Sequence, residues 1–323
     1  MTTTVQLPDD PIISLVGAGT IGMAWAVVFS TGGMRVKLYD SQPGALETTL
    51  AKARARLGDL ARHGLIPQDG GVEDAMALIE PVTDLGEALD GASLIQENVP
   101  EFVDLKRDLL AQVAELAPEN CAIASSTSFI EPSRIFDHVK GRERCLVLHP
   151  GNPPFLIRVV EVVPAPFTSQ EAVDIGAGLM ARAGMTPVHV NKEVEGFVLN
   201  RLQGALLREA YCLVRDGVTS VEDIDRIVRD GLGFRWSLIG PFESVDLGTR
   251  GGIAGHAERM GPSYERQGAE RGQHDPWTPD LVEKVVAARR AILPLDKWEE
   301  RGAWRDEGLM QLLRTKREIN KNT

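Results

Sequence analysis

Ile12-Ile13-Ser14-Leu15-Val16-Gly17-Ala18-Gly19-Thr20-Ile21-Gly22 decides the fold of this chain. The apolar run Ile12 to Val16 reads as a buried strand, and Met23 to Phe29 behind the glycines as an apolar helix. An alternating run, Arg35-Val36-Lys37-Leu38-Tyr39, then ends at Asp40. Strand, glycine turn, helix, strand and acidic residue follow in the order of a dinucleotide-binding βαβ unit. Each part has a task. Gly17 permits the tight turn, Gly19 lets backbone N–H groups approach a pyrophosphate, and Gly22 lets the helix pack closely. The helix N-terminus turns its partial positive charge toward the phosphates. Asp40 can accept hydrogen bonds from both hydroxyls of an adenosine ribose. Ser41 and Gln42 follow it, with no Arg or Lys to neutralise a 2′-phosphate, so the expected cofactor is NAD rather than NADP. The competing reading is a glycine turn that binds nothing.

A chain of 323 residues suggests about two domains. Hydrophobic content of 43% and charged content of 25% are those of an ordinary globular protein. The net charge of −11 argues against nucleic acid or an anionic membrane as partner, since both need basic patches. A small anionic substrate stays open, because it needs only a local cation. Cys121, Cys145 and Cys212 are odd in number and show no CxxC pair; they read as reduced core residues, not as a disulfide frame or metal site. The first ten residues lack a basic start and a long apolar core, so no secretory leader is expected. No apolar run approaches the roughly 18–20 residues of a membrane span. A cytoplasmic protein without a metal is the expectation.

From residue 1 to about 193 the chain alternates short apolar runs with helical stretches, the pattern of a doubly wound α/β sheet. A long helical stretch is expected from Gly44 to His63, then a turn near Asp69-Gly70-Gly71. Further strands are expected at Ser93 to Gln96, Ala122 to Ala124, Leu146 to Leu148, Val159 to Val163 and Val188 to Val190, with an amphipathic helix from Val103 to Leu116. The texture changes near Asn191. From Glu195 onward Phe197, Val198, Leu202, Ala205, Leu206 and Ala210 recur at helix spacing; helical stretches follow at Val221 to Asp230, Pro279 to Arg290 and Asp306 to Lys316. The predicted organisation is therefore a Rossmann-type domain, 1–193, and an all-α domain, 194–323. The segment Gly248 to Gln273, rich in Gly, Arg and Glu, reads as loop and helix ends.

Oxidising an alcohol with a nicotinamide needs a base for the hydroxyl proton, and histidine suits this best. Of six histidines, His149 directly follows the apolar run Cys145 to Leu148, at a strand's carboxyl end, where open α/β sheets bind ligands. The next residues, Pro150-Gly151-Asn152-Pro153-Pro154, are turn formers. Glu161 interrupts the apolar run Val159 to Val163. A buried carboxylate needs a partner, and the connection to His149 is short enough for adjacent strands. Read alone, a histidine such as His149 is more often structural, and Glu161 could face water on an edge strand. Ser125 to Ser128 offers hydroxyls near this site, or a solvated loop or helix cap. Asn200, within Gly196 to Arg201, is polar on an otherwise apolar helix face, where a plain helix surface is the default reading.

Together these motifs resemble the L-3-hydroxyacyl-CoA dehydrogenase superfamily, most closely its lambda-crystallin/L-gulonate 3-dehydrogenase branch. The resemblance rests on Gly17 to Gly22 with Asp40, Gln96 to Glu101, Ser125 to Ser128, His149 to Pro154 and Gly196 to Asn200. It extends to Trp304-Arg305-Asp306-Glu307, which looks like that branch in particular. The resemblance implies that His149 is the general acid/base and Glu161 its orienting partner, with Ser128 and Asn200 on the reacting oxygen or the substrate and water around it. It implies that Thr20, Ile21, Asp40, Glu101 and Lys106 bind NAD, and that Asn152 lies near the nicotinamide. Sequence alone reads Glu101 and Lys106 as an exposed helix start. A homodimer through the helical domain is implied too. Gly233-Phe234-Arg235-Trp236 resembles the place where the gulonate branch carries an Arg, so Arg235 is the expected carboxylate anchor, against a surface ion pair. The chain departs from the animal enzymes of the branch at Trp236 and from Arg250 to Tyr264. The leading expectation is NAD-dependent oxidation of L-gulonate or a related L-3-hydroxy acid. The alternatives are a 3-hydroxyacyl-CoA dehydrogenase, a carnitine-type dehydrogenase, and a non-catalytic crystallin-like NAD-binding protein. Aromatic content of 5% shows no clear cage for a quaternary ammonium.

Overall fold

The structure, a computed structural model, describes residues 7–67, 70–273, 278–302, 304, 315 and 318. It divides into two compact units, residues 1–207 and 208–323. The first is built on eight strands: β1 (Ile12–Val16), β2 (Arg35–Tyr39), β3 (Ile79–Val82), β4 (Leu94–Glu97), β5 (Ala122–Ser125), β6 (Cys145–Pro150), β7 (Val159–Pro164) and β8 (Thr186–His189). They form one sheet in the order β3-β2-β1-β4-β5-β6-β7-β8. Every neighbouring pair is parallel except β6 and β7. The expected strands are all present, and the fold is the doubly wound α/β sheet followed by a helical unit.

The central strands are apolar because both faces are covered. Every residue of β4, β5 and β6 is buried. Their polar members, Gln96, Glu97, Ser125 and His149, all lie at or near the carboxyl ends. The sheet reverses its winding between β1 and β4, the crevice where such sheets take ligands. Helix α1 (Thr20–Thr31) starts at this crevice, packs against β1 and β2, and is buried from Gly22 to Ser30, which explains its nearly unbroken apolar sequence. The long expected helix is α2 (Ala45–Arg62). The amphipathic one is found at Val103–Leu116, with the predicted ends. The short edge strand β3 carries no sequence signal of its own, since Glu80 and Pro81 interrupt its apolar pattern.

Gly17 and Gly22 are required by contact. Gly17 has φ +102°, and a Cβ there would lie 3.0 Å from the Asn98 carbonyl carbon. A Cβ on Gly22 would lie 1.9 Å from the Gly17 oxygen, so the close approach is to the turn's own carbonyl. Gly22→Ala is therefore expected to cost at least about 3 kcal/mol of stability, or to abolish the folded state, in a thermal melt followed by circular dichroism. A wild-type melt would contradict the packing described.

Past β8 no strand occurs among the described residues. The helix Leu199–Arg215 carries the chain from one unit into the next, so the units divide inside a helix at Leu207, whereas the sequence pattern places the boundary at about 193. Two expectations need correction. Phe197 and Val198 precede the helix: Gly196 and Phe197 both have left-handed backbone, with φ +73° and +49°, and the first helical residue is Leu199. Gly248 to Gln273 is mainly one helix, Gly252–Glu270, although Pro262 lies inside it. Its start is tied to the preceding helix, where Asp246 Oδ1 accepts from the Ile253 N–H at 2.8 Å. Local composition does not show such a bond. The helix expected at Asp306 to Lys316 and the Trp304 to Glu307 motif lie, apart from single residues, outside the described residues.

Candidate active site

The glycine turn opens onto a cleft of about 790 Å³ lined by Ala18, Gly19, Thr20, Gly44, Thr48 and Lys52, among others. Gly19 is the N-cap of α1; no side chain caps that helix, and a Cβ on Gly19 would meet nothing within 4 Å. The first-turn amides, including those of Thr20 and Ile21, therefore face a space that a phosphate could enter. Asp40 braces this turn: its Oδ2 accepts from the Ala18 N–H at 2.7 Å and its Oδ1 from the Gln42 N–H at 2.8 Å. Each oxygen keeps a second lone pair for a ribose hydroxyl. These residues fit a dinucleotide.

At the carboxyl end of β6, His149 stands directly opposite Glu161 of β7 in the antiparallel register. The ring Nδ1 donates to Glu161 Oε2 at 2.8 Å, with His149 5% and Glu161 2% exposed. An ionised carboxylate only accepts, so the proton sits on Nδ1 and the lone pair on Nε2. Glu161 Oε1 accepts from the Val198 and Leu199 N–H groups at 2.8 and 3.0 Å. Burial pushes the Glu161 carboxyl up, but the hydrogen bonds from His149, Leu199 and Val198 outweigh it and hold the carboxyl below its ordinary value. The left-handed turn at Gly196 and Phe197 aims those amides. The Phe197 ring, fully buried, packs against the imidazole with centroids 5.6 Å apart. Asn200, on the first turn of its helix, donates from Nδ2 to the Ser128 carbonyl at 2.9 Å. Hydrogen bonds thus join His149 to Glu161 and Asn200 to Ser128, and the Leu199 amide on Glu161 directly precedes Asn200, all within the first unit.

The loop after β4 is fixed by a buried ion pair. Glu97, with 0% exposure, accepts from Lys106 Nζ on both oxygens at 2.8 and 3.0 Å, and Lys106 is 1% exposed. Lys106 also donates to the Val99 carbonyl at 3.0 Å and lies 3.4 Å from Glu101 Oε2. Its ammonium is thus committed inside the protein, against the exposed helix start expected from sequence; exposed Glu101 fits that expectation. Burial pushes the Glu97 carboxyl above its ordinary range, while Lys106, Ser125 and the Val99 amide pull it back. Glu101 Oε1 accepts from the Ser128 N–H at 2.7 Å and from the Thr127 hydroxyl.

Asn152 is exposed on the loop directly after β6. Arg235, half-buried on the short helix Gly233–Trp236, belongs to the second unit; its Nε is buried with no hydrogen-bond partner. Two residues of the site carry no expectation from the sequence. Glu97 ends the apolar run Leu94-Ile95, the same signal that marks Glu161. Trp25 of α1 donates from its indole N–H to Ser126 Oγ at 2.9 Å; a large aromatic inside a buried helix needs such a partner.

Residues 12–194 match the family of 3-hydroxyacyl-CoA dehydrogenase NAD binding domains, and residues 196–292 the 3-hydroxyacyl-CoA dehydrogenase C-terminal domain. The chain belongs to the 3-hydroxyacyl-CoA dehydrogenase family. It is an NAD-dependent oxidoreductase acting on a CH–OH group. Within this family it is similar to a lambda-crystallin of Oryctolagus cuniculus, 38% identical over 309 residues that cover 95% of this chain and 97% of that one. An L-carnitine dehydrogenase of a Pseudomonas species is 33% identical over 312 residues, covering 92% and 91%. Among solved structures, an NAD-dependent 5-formyl-3-hydroxy-2-methylpyridine 4-carboxylic acid 5-dehydrogenase superposes with a TM-score of 0.71. It is 29% identical and covers 88% of this chain and 99% of that one. No helix among the described residues is long and apolar enough to cross a membrane.

Proposed function

We propose that this dehydrogenase oxidises the 3-hydroxyl of a small L-3-hydroxy acid, with L-gulonate to 3-dehydro-L-gulonate as the leading conversion. The observation that carries the reading is the buried 2.8 Å contact between His149 Nδ1 and Glu161, which leaves Nε2 as the basic atom. Nε2 takes the hydroxyl proton, and Glu161 stabilises the imidazolium that forms. The hydride leaves the same carbon, which becomes a carbonyl. NAD, when bound, supplies the hydride acceptor. Ser128 and Asn200 hold the reacting oxygen. The α1 amides of Thr20 and Ile21, the Asp40 carboxylate, Glu101 and Asn152 hold the cofactor. Lys106 acts indirectly, by holding Glu97 and the Val99 carbonyl and by its charge beside Glu101, because its own donors are committed to Glu97 and Val99.

The resemblance to the lambda-crystallin/L-gulonate 3-dehydrogenase branch favours a free sugar acid, and the likeness to a lambda-crystallin agrees with that branch. Arg235 is the proposed carboxylate anchor, by the resemblance of Gly233 to Trp236 to the place where that branch carries an Arg, and because a guanidinium suits bidentate carboxylate recognition. Arg235→Leu is expected to raise KM for the acid about 10- to 100-fold with little change in NADH affinity. An unchanged KM would remove the anchor. NADH formation measured with L-gulonate, 3-hydroxybutyryl-CoA and L-carnitine tests the substrate class. The largest kcat/KM is expected with L-gulonate. A larger value with either of the others would overturn this reading, and no activity with any 3-hydroxy compound would favour a crystallin-like role. We further propose a cytoplasmic homodimer through the helical unit, supported by exposed apolar side chains at Tyr211, Val214, Val218, Val221 and Ile227. Sedimentation is expected to give twice the mass of one chain.

A further inference from the structure

Glu97 does more than close a buried ion pair. Its Oε2 accepts from the Ser125 hydroxyl at 2.5 Å, and its Oε1 from the Val99 N–H at 2.5 Å, besides the two bonds from Lys106. Its own backbone carbonyl accepts from the Ser126 N–H at 2.9 Å. One residue at the end of β4 thus grips both loops at the carboxyl edge of the sheet: the loop from Val99 to Glu101 and the loop from Ser125 to Ser128. The two loops meet again further out, where Glu101 receives the Thr127 hydroxyl and the Ser128 N–H. Ser125 Oγ also accepts from the Thr127 N–H at 3.1 Å, which relays the position of Glu97 to Thr127. A buried charge pair of this kind is a costly way to hold a fold, because desolvation offsets its attraction. Its worth lies in geometry: it fixes distances between groups that an apolar contact would leave loose.

We propose that Glu97, paired with Lys106, is a positioning residue that sets the register between the cofactor loop carrying Glu101 and the substrate loop carrying Ser128. The proposal rests on the reading of Glu101 and Ser128 given above. A carboxylate of this length is needed, since it must reach Lys106, Val99 and Ser125 at once. An aspartate keeps the charge for Lys106 but withdraws by one methylene from the two loops.

The test is fluorescence titration of NADH and steady-state turnover on the full chain carrying Glu97→Asp, Glu97→Gln, Lys106→Met and the Glu97→Gln/Lys106→Met pair, each with a thermal melt. Glu97→Asp is expected to melt near wild type yet to weaken NADH binding and lower kcat/KM by about tenfold or more. The double variant is expected to lose less than the product of the two single losses, the sign of coupled partners. Should Glu97→Gln fail to fold, Glu97→Asp alone carries the result. A lowered melt with wild-type NADH binding in Glu97→Asp would make the pair merely structural and overturn the proposal. So would single losses that multiply in the double variant. Glu101→Gln and Ser128→Ala serve as reference variants. If they bind and turn over as wild type, the underlying site reading falls and takes the proposal with it. If they are crippled while Glu97→Asp is not, the positioning role alone is wrong.

Discussion

His149→Gln is expected to lower turnover by a factor of about 10² or more while NADH affinity stays close to wild type. The first half follows from the ring's two nitrogens. Nδ1 is held by Glu161, so Nε2 carries the basic lone pair. Glutamine fills much of the same space but has no group that takes a proton near neutral pH. The second half follows from location. The glycine turn, Asp40 and the open face of Gly19 belong to β1, β2 and the start of α1, while His149 belongs to β6. Steady-state kinetics with the best hydroxy acid, together with NADH titration, checks both halves. A variant that keeps wild-type turnover would remove the base assignment. One that loses NADH binding in parallel would make His149 a cofactor residue.

Glu161→Gln should be about as damaging, with an expected loss in turnover of roughly 10²–10⁴ by analogy with other carboxylate–histidine pairs. The cause differs. A carboxylate accepts from Nδ1–H and from the two backbone amides together. A glutamine offers one oxygen and one NH₂, so it satisfies either the amides or the imidazole. With its oxygen on the amides, its NH₂ faces Nδ1 and drives the ring proton to Nε2, the position that must stay basic. The same carboxylate also leaves a mark on stability. Its folded pKa is depressed, chiefly through the hydrogen bond from His149 against the opposing pull of burial. A depressed carboxylate stabilises the folded state above its unfolded value of about 4.3, and that stability is lost as pH falls through the lower folded value. Thermal melts of wild type should therefore fall off below about pH 4 more steeply than those of Glu161→Gln, which has no such titration. Parallel slopes for the two proteins would show that Glu161 is not ionised by its partners.

How much of this was readable in advance depends on whether a feature is local. The close approach of Gly22 to the Gly17 oxygen and the bond from the Ala18 N–H to Asp40 lie within one βαβ unit, so Gly17, Gly22 and Asp40 announce themselves, although Gly17 also packs against the distant Asn98 carbonyl. The dyad was legible for a thermodynamic reason: a carboxylate in an apolar run must find a partner, and β6 and β7 are adjacent in sequence. Lys106 was not, because its helix reads as charged and amphipathic, and nothing in that periodicity says one lysine turns inward to Glu97. Phe197 fits the helical pattern by composition; its left-handed backbone is imposed by the tertiary demand that two amides point at Glu161. The helix Gly252–Glu270 is hidden by its glycines and proline, and the Ile253 N–H at its start is held by Asp246, seven residues earlier in the preceding helix rather than at the N-cap position. Arg235 is proposed from resemblance alone, and it belongs to the second unit while the dyad belongs to the first.

The most direct measurement is a crystal structure of the protein with NADH and the hydroxy acid it turns over best. His149 Nε2 is expected within about 3.2 Å of the substrate's C3 oxygen, with Nδ1 still on Glu161. Density placing that oxygen beyond hydrogen-bond reach of the imidazole, with another side chain as its proton acceptor, would contradict the account.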